Sequence, residues 1–233
     1  MIPLKDTIPS RTYPYINISL ILINVAIFFY ELSLGRGLIR FIYTYGLIPK
    51  KFFYLAHQGS YPLEQYFPFF TSLFLHGGWL HVIGNMLFLW IFGDNVEDRM
   101  GHFKYLIFYI LCGFGAGFTH VYLNSASTIP AVGASGAISG VLGAYFILFP
   151  RSRIVTLMPV FFFLTLVEIP AFFFIGVWFL FQLVKGAFSI IGGLQEGVAW
   201  WAHVGGFLTG VGLVFIFAKR RRRYRRDYFY YRW

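Results

Sequence analysis

Acidic side chains are scarce in this chain, with nine Asp and Glu among 233 residues, and cysteine occurs once, at Cys112. A single cysteine excludes an intramolecular disulfide framework and leaves the redox compartment unread. Charge of either sign is missing from long stretches. Only 12% of residues are charged against 58% hydrophobic, which excludes an ordinary soluble domain and marks a polytopic membrane protein. Met1 to Pro14 carries Lys5, Asp6 and Arg11 without an apolar core, so it is not read as a signal peptide. No internal repeat stands out, and with it go the inverted repeats common in transporters. The net charge of +10 does not point to nucleic acid. Most of it sits in Lys219 to Arg226, directly after an apolar run, where it reads as a cytoplasmic flank facing anionic lipid.

What the chain does have is six apolar windows, predicted at 15–34, 77–93, 103–123, 134–150, 169–187 and 198–218. Residues 34–77 form a long first loop rich in Tyr, Phe and Pro, expected to lie in the membrane interface. Residues 154–187 are too long for one helix, and Pro159 and Pro170 interrupt them. We therefore read 154–168 as an interfacial or re-entrant segment preceding the fifth span. Six spans put both termini on one side. That side then holds 14 Lys and Arg and the other five, namely Arg36, Arg40, Lys50, Lys51 and Lys185. The asymmetry predicts cytoplasmic termini in an inner or plasma membrane. The domain organisation expected is a six-span membrane domain over 1–218 and a basic tail over 219–233.

The polar residues out of place in this apolar chain lie near the outer ends of spans two, four and six. They are His81 and Asn85, Ser135, and His203. At a rise of ~1.5 Å per residue, His81 falls about 6 Å and His203 about 8 Å into its helix. Span four covers only about 24 Å of a ~30 Å core, so Ser135 begins several Å below the outer surface, at the same depth. Gly136, Gly140 and Gly143 form a bare stripe on span four. His203 shares a face of span six with Gly206 and Gly210. Packing the two stripes together brings hydroxyl and imidazole within reach. Taken alone, each of these residues reads as packing or as interhelical hydrogen-bonding; equal depth on mating faces points to chemistry.

A serine beside a histidine makes a nucleophile and its general base. No carboxylate lies at that depth, so the pair is a dyad. Asn85, His81 and the backbone N–H of Ser135 are candidate oxyanion donors, the last because the first helical amides have no intrahelical partner. A zinc protease needs HExxH, whereas the residues here are His81-Val82-Ile83-Gly84-Asn85. An aspartyl protease needs two embedded Asp, and only Asp94 is close. No metal or cofactor is implied.

These residues resemble the rhomboid family of intramembrane serine proteases. Gly133-Ala134-Ser135-Gly136 is similar to the nucleophile motif, Ala202-His203-Val204-Gly205-Gly206 with Gly210 to the histidine helix, and His76 with His81 to Asn85 to the second-helix motif. The resemblance implies an all-α, six-transmembrane-helix bundle with a long interfacial first loop. It also implies Ser135 as nucleophile, His203 as base, His81 and Asn85 at the oxyanion, and His76 in support. The partners it implies are single-span membrane proteins, cut at or near the outer end of the transmembrane helix, together with membrane lipid. By the same resemblance span five with Trp178, and the loop 188–197, form a movable gate and cap. This chain departs from some members in lacking a Trp-Arg pair in the first loop, and in carrying Ser139 where they carry an aromatic stacked on the histidine. Two other readings remain at this level. One is a non-catalytic scaffold of the same fold that binds transmembrane helices. The other is a small channel or transporter, disfavoured by the scarcity of intramembrane charge.

Overall fold

The computed structural model describes residues 1–59, 61–160, 163–191 and 199–219. The basic tail from 220 onward, and residue 198 with 192–197 of the expected cap loop 188–197, lie outside the described residues, while 188–191 of that loop are helical. Each apolar window holds one long helix: α1 (Tyr15–Ser33), α5 (Trp79–Met100), α6 (His102–Leu123), α7 (Ser135–Leu148), α8 (Ala171–Ile191) and α9 (Trp200–Phe217). Between α1 and α5 the first loop folds into three short helices, α2 (Leu38–Tyr45), α3 (Pro49–His57) and α4 (Pro62–Thr71). Helices α1, α6, α8 and α9 are each long and apolar enough to cross a membrane. Helix α5 passes that test only together with residues 62–74, from which it bends by 83°. Its last turns carry Asp94, Glu97, Asp98 and Arg99 and run beyond the apolar window. The whole is an all-α polytopic membrane bundle.

Helix α7 has only 14 residues, and it is enclosed from Gly136 to Tyr145. Apolar residues do not draw helices together in lipid, so close approach depends on small residues and backbone contact. A Cβ on Gly206 would overlap the carbonyl of Gly136, one on Gly210 the carbonyl of Gly140, and one on Gly143 the carbonyl of Phe207. Helix α6 closes the third side, with Ala116 against Gly136 and Cys112 against Gly140. The three helices therefore meet backbone to backbone, and their axial register is set by glycine.

The segment 154–168, expected to be interfacial or re-entrant, is built of strand in its described residues. It contributes two strands, β2 (Arg153–Val160) and β3 (Phe163–Pro170), which pair antiparallel with each other and, through β2, with β1 (Ile2–Asp6) at the amino terminus. The cause is local. Ile154, Val155, Thr156, Thr165, Val167 and Ile169 are β-branched and favour a pleated strand. Pro159, which would break a helix, sits past Leu157, the last residue that β1 pairs, where one edge of β2 is open. Span prediction by hydropathy does not separate such a strand pair from short helices.

Polar contacts fasten this sheet to the bundle. Asp6 accepts hydrogen bonds from Tyr145 Oη at 2.6 Å and Asn95 Nδ2 at 2.9 Å. Nearby, the buried Glu97 carboxylate accepts the first-turn amides of α1, Ile16 at 3.1 Å and Asn17 at 2.7 Å. That is a helix N-terminus capped by a charge from a neighbouring helix.

The glycine contacts make a paired test. Gly210→Ala is expected to cost about 1–3 kcal/mol through overpacking against a carbonyl that cannot move aside. Gly212→Ala, where a Cβ meets nothing within 4 Å, should be neutral or stabilising by up to about 1 kcal/mol. Thermal denaturation in detergent reads both, and equal midpoints would contradict the packing described.

Burial pushes the Asp6 carboxyl above its usual range, against hydrogen bonds from Tyr145 and from the backbone that pull it down. A raised folded-state value means the fold binds the proton more tightly than the unfolded chain does. The resulting stability is full below an ordinary carboxylate value of about 3.9 and is lost as pH rises through the folded value. Asp6→Asn should flatten that part of a stability–pH profile; an unchanged slope would count against it.

Candidate active site

The chain enters α7 through a loop held on both sides. Leu47 and Ala131 exchange backbone hydrogen bonds at 3.0 and 2.8 Å, and the Gly133 N–H donates to Ser72 O at 2.9 Å. Leu47, Phe52, Phe69 and Val121 pack beneath this junction with Phe114 and Phe118. The aromatic first loop thus forms part of the site's foundation. Gly133 has φ +125°, a conformation that disfavours a side chain, and a Cβ there would lie 2.6 Å from His81 Nε2. Ser135 follows as the first residue of α7, so its amide has no intrahelical acceptor.

The backbone approach of α7 and α9 brings Ser135 and His203 together. Ser135 Oγ lies 2.8 Å from His203 Nε2. Both line a cavity of about 470 Å³, together with His81, Asn85, Ser139 and Trp178. No carboxylate lines it among the described residues. Ser139 is turned to its own helix, donating to the Ser135 carbonyl at 2.6 Å.

The histidine ring is held from three other directions. Its Nδ1 lies 2.9 Å from Gln182 Oε1 on α8. The Trp178 ring faces it at 6.1 Å between centroids and 35°, and Trp200 meets it edge-on at 6.3 Å and 90°. Sequence reading singled out Trp178 but missed Gln182 and Trp200. The available signal for Gln182 was a lone amide in the apolar run 171–191, four residues after Trp178. An uncharged polar side chain inside a span is a functional pointer.

On the opposite wall, Asn85 is 8% exposed and its Nδ2 lies 3.0 Å from His76 Nε2. His76 is anchored in turn, its backbone N–H donating to the carboxylate of Glu31 on α1 at 3.2 Å. The Gly77 N–H points at His81 Nδ1 at 3.4 Å. That contact makes Nδ1 the acceptor and leaves the proton on Nε2, the nitrogen beside Gly133. His76 therefore sits behind the wall, while His81 and Asn85 present N–H groups toward the loop before Ser135. Gly136, Gly140, Gly206 and Gly210 are all in the helix contact behind it. An alcohol bonded to an imidazole, facing N–H donors across a cavity, is equipped for nucleophilic attack on a carbonyl.

Comparison with known proteins identifies the family of the chain. The family model for the rhomboid domain matches residues 63–220. The chain is 28% identical to the rhomboid protease AarA of Providencia stuartii over 227 residues, covering 89% of this chain and 75% of that protein. It is 27% identical to RHOMBOID-like protein 1 of Arabidopsis thaliana over 229 residues, again 89% of this chain but 54% of the relative. Against the rhomboid protease GlpG of Haemophilus influenzae the identity is 26% over 171 residues, 72% of this chain and 80% of that one. The chain thus spans about half the length of the plant relative and three quarters or more of the two bacterial ones.

Glu31 supplies the test of the wall. Glu31→Ala leaves the buried His76 amide without its acceptor and should cost about 1–3 kcal/mol. Glu31→Gln keeps an oxygen there and should cost less. A thermal midpoint lowered equally by both would show that the hydrogen bond is not what matters.

Proposed function

The chain belongs to the rhomboid family, and on that premise we propose that it is an intramembrane serine endopeptidase. In this reading Ser135 is the nucleophile and His203 the general base, and the substrates are single-span membrane proteins cut at or near the outer end of their transmembrane helix. The observation that carries it is the 2.8 Å contact between Ser135 Oγ and His203 Nε2 inside a cavity that also holds Asn85 and His81.

Each step uses groups already in place. As Ser135 Oγ attacks the scissile carbonyl, its proton passes to His203 Nε2. The carbonyl oxygen takes up negative charge within reach of Asn85 Nδ2, the protonated nitrogen of His81 and the Ser135 amide, at the positive end of the α7 dipole. The tetrahedral adduct collapses, His203 returns the proton to the leaving amine, and an acyl-enzyme remains. Water then attacks the ester with the same base, the acid is released and Ser135 regains its proton. These donors are fixed by the fold before charge develops, so they need no reorganisation as the oxyanion forms.

Topology completes the proposal. The excess of Lys and Arg puts both termini in the cytoplasm of an inner or plasma membrane, which sets the heads of α5, α7 and α9 toward the outer face. In this reading residues 1–218 are the catalytic membrane domain, and 219–233 are a basic cytoplasmic tail whose charge suits anionic lipid.

Purified protein in detergent, given a transmembrane substrate, should cleave it, and Ser135→Ala should abolish cleavage. His203→Ala should be about as damaging. Asn85→Ala should retain measurable activity, since one oxyanion donor is worth about 3 kcal/mol, or roughly a hundredfold. Turnover persisting in Ser135→Ala would remove the assignment. A wild-type chain that binds transmembrane helices without cutting any would instead favour the scaffold reading.

A further inference from the structure

A dyad without a carboxylate leaves open what directs its imidazole. His203 must offer a bare Nε2 to the serine hydroxyl, so the ring proton has to reside on Nδ1. Nothing in an isolated imidazole enforces that choice. The ring can also turn over, exchanging its two nitrogens in space. Both freedoms are restricted by a buried group that accepts a hydrogen bond at Nδ1.

Gln182 is such a group. It is 4% exposed, on the inner face of α8, and its Oε1 lies 2.9 Å from His203 Nδ1. An amide oxygen accepts and does not donate, so the contact requires Nδ1–H. Trp178, one turn earlier on the same helix, and Trp200 close on the ring and limit its rotation.

We propose that Gln182 is the positioning residue of the site, completing a Ser135–His203–Gln182 triad in which an amide does the orienting that a carboxylate does in other serine proteases. The proposal rests on the Ser135–His203 reading above and deepens it. Gln182 touches neither substrate nor the reacting atoms. It selects the tautomer at rest, and its bond to Nδ1–H becomes charge-assisted and stronger while His203 holds the serine proton. An amide third member also occurs in cysteine proteases with a Cys-His-Asn arrangement. Because α8 carries Gln182 as well as Trp178, displacing α8 withdraws both supports from the base. Alignment of the dyad is thus tied to the position of this helix.

The test uses the full chain in detergent micelles. In ¹⁵N-histidine spectra of the wild type, the His203 signal, identified by its loss in His203→Ala, should report the Nδ1–H tautomer. An Nε2–H tautomer there would overturn the proposal whatever the variants do. Gln182→Leu should let the His203 signal shift toward the other tautomer and lower kcat about tenfold, with KM within about twofold, in a variant that still unfolds cooperatively. Gln182→Glu keeps an acceptor oxygen at Nδ1 and should retain both the tautomer and more activity than the Leu variant. Wild-type kcat and tautomer in a folded Gln182→Leu would overturn the proposal while leaving the protease reading intact. A wild type that cleaves nothing would instead strike the protease reading, and the tautomer measurement would still decide the role of Gln182.

Discussion

The structure depends on one contact, the approach of α7 to α9 across glycine. Where Gly206 and Gly210 meet the carbonyls of Gly136 and Gly140, no side chain intervenes. Two helix axes at that separation have little freedom to slide. The first residue of α7 and the fourth of α9 are thereby held level. In lipid this closeness has no hydrophobic driving force behind it; dispersion and backbone complementarity sustain it, and a single added methyl disrupts them. The 2.8 Å separation of Ser135 and His203 is a product of the helix contact more than of the two side chains.

Around that contact, each wall of the site answers to a different part of the chain. The first loop, through Leu47 and Ser72, fixes the turn before Ser135. Helix α1, through Glu31 and His76, reaches Asn85. Helix α8 supplies the group at His203 Nδ1. At the far end, Glu97 and Asp6 tie α1, α5, α7 and the small sheet together without touching the cavity. Charge is therefore kept to the two ends of the bundle. The reacting region is lined by neutral donors and acceptors, as a low-dielectric interior demands.

Much of this could be read from the chain alone, and for identifiable reasons. Long apolar windows reveal helices because every backbone polar group in lipid must be bonded within its own segment. Small residues at helical spacing reveal which faces meet, and from Gly136, Gly140, Gly206 and Gly210 follows the approach of α7 and α9. The strands β2 and β3 were not legible, since hydropathy is blind to secondary structure and β1, which pairs with β2, lies some 150 residues away in the chain. Gln182 was overlooked because its meaning comes from a neighbour on another helix. A lone glutamine in an apolar run announces that it needs a partner, but not which one. Trp200 falls in the same class, as does the anchoring of His76 by Glu31.

The central claim is that the meeting of α7 and α9 creates one activated alcohol in the molecule. The direct measurement is to treat the folded chain in detergent with a fluorophosphonate and map the adduct by peptide mass spectrometry. A single phosphonylated residue, Ser135, that disappears when His203 is replaced by alanine is the expected result. An adduct on another serine, or labelling of Ser135 that is indifferent to His203, would contradict it.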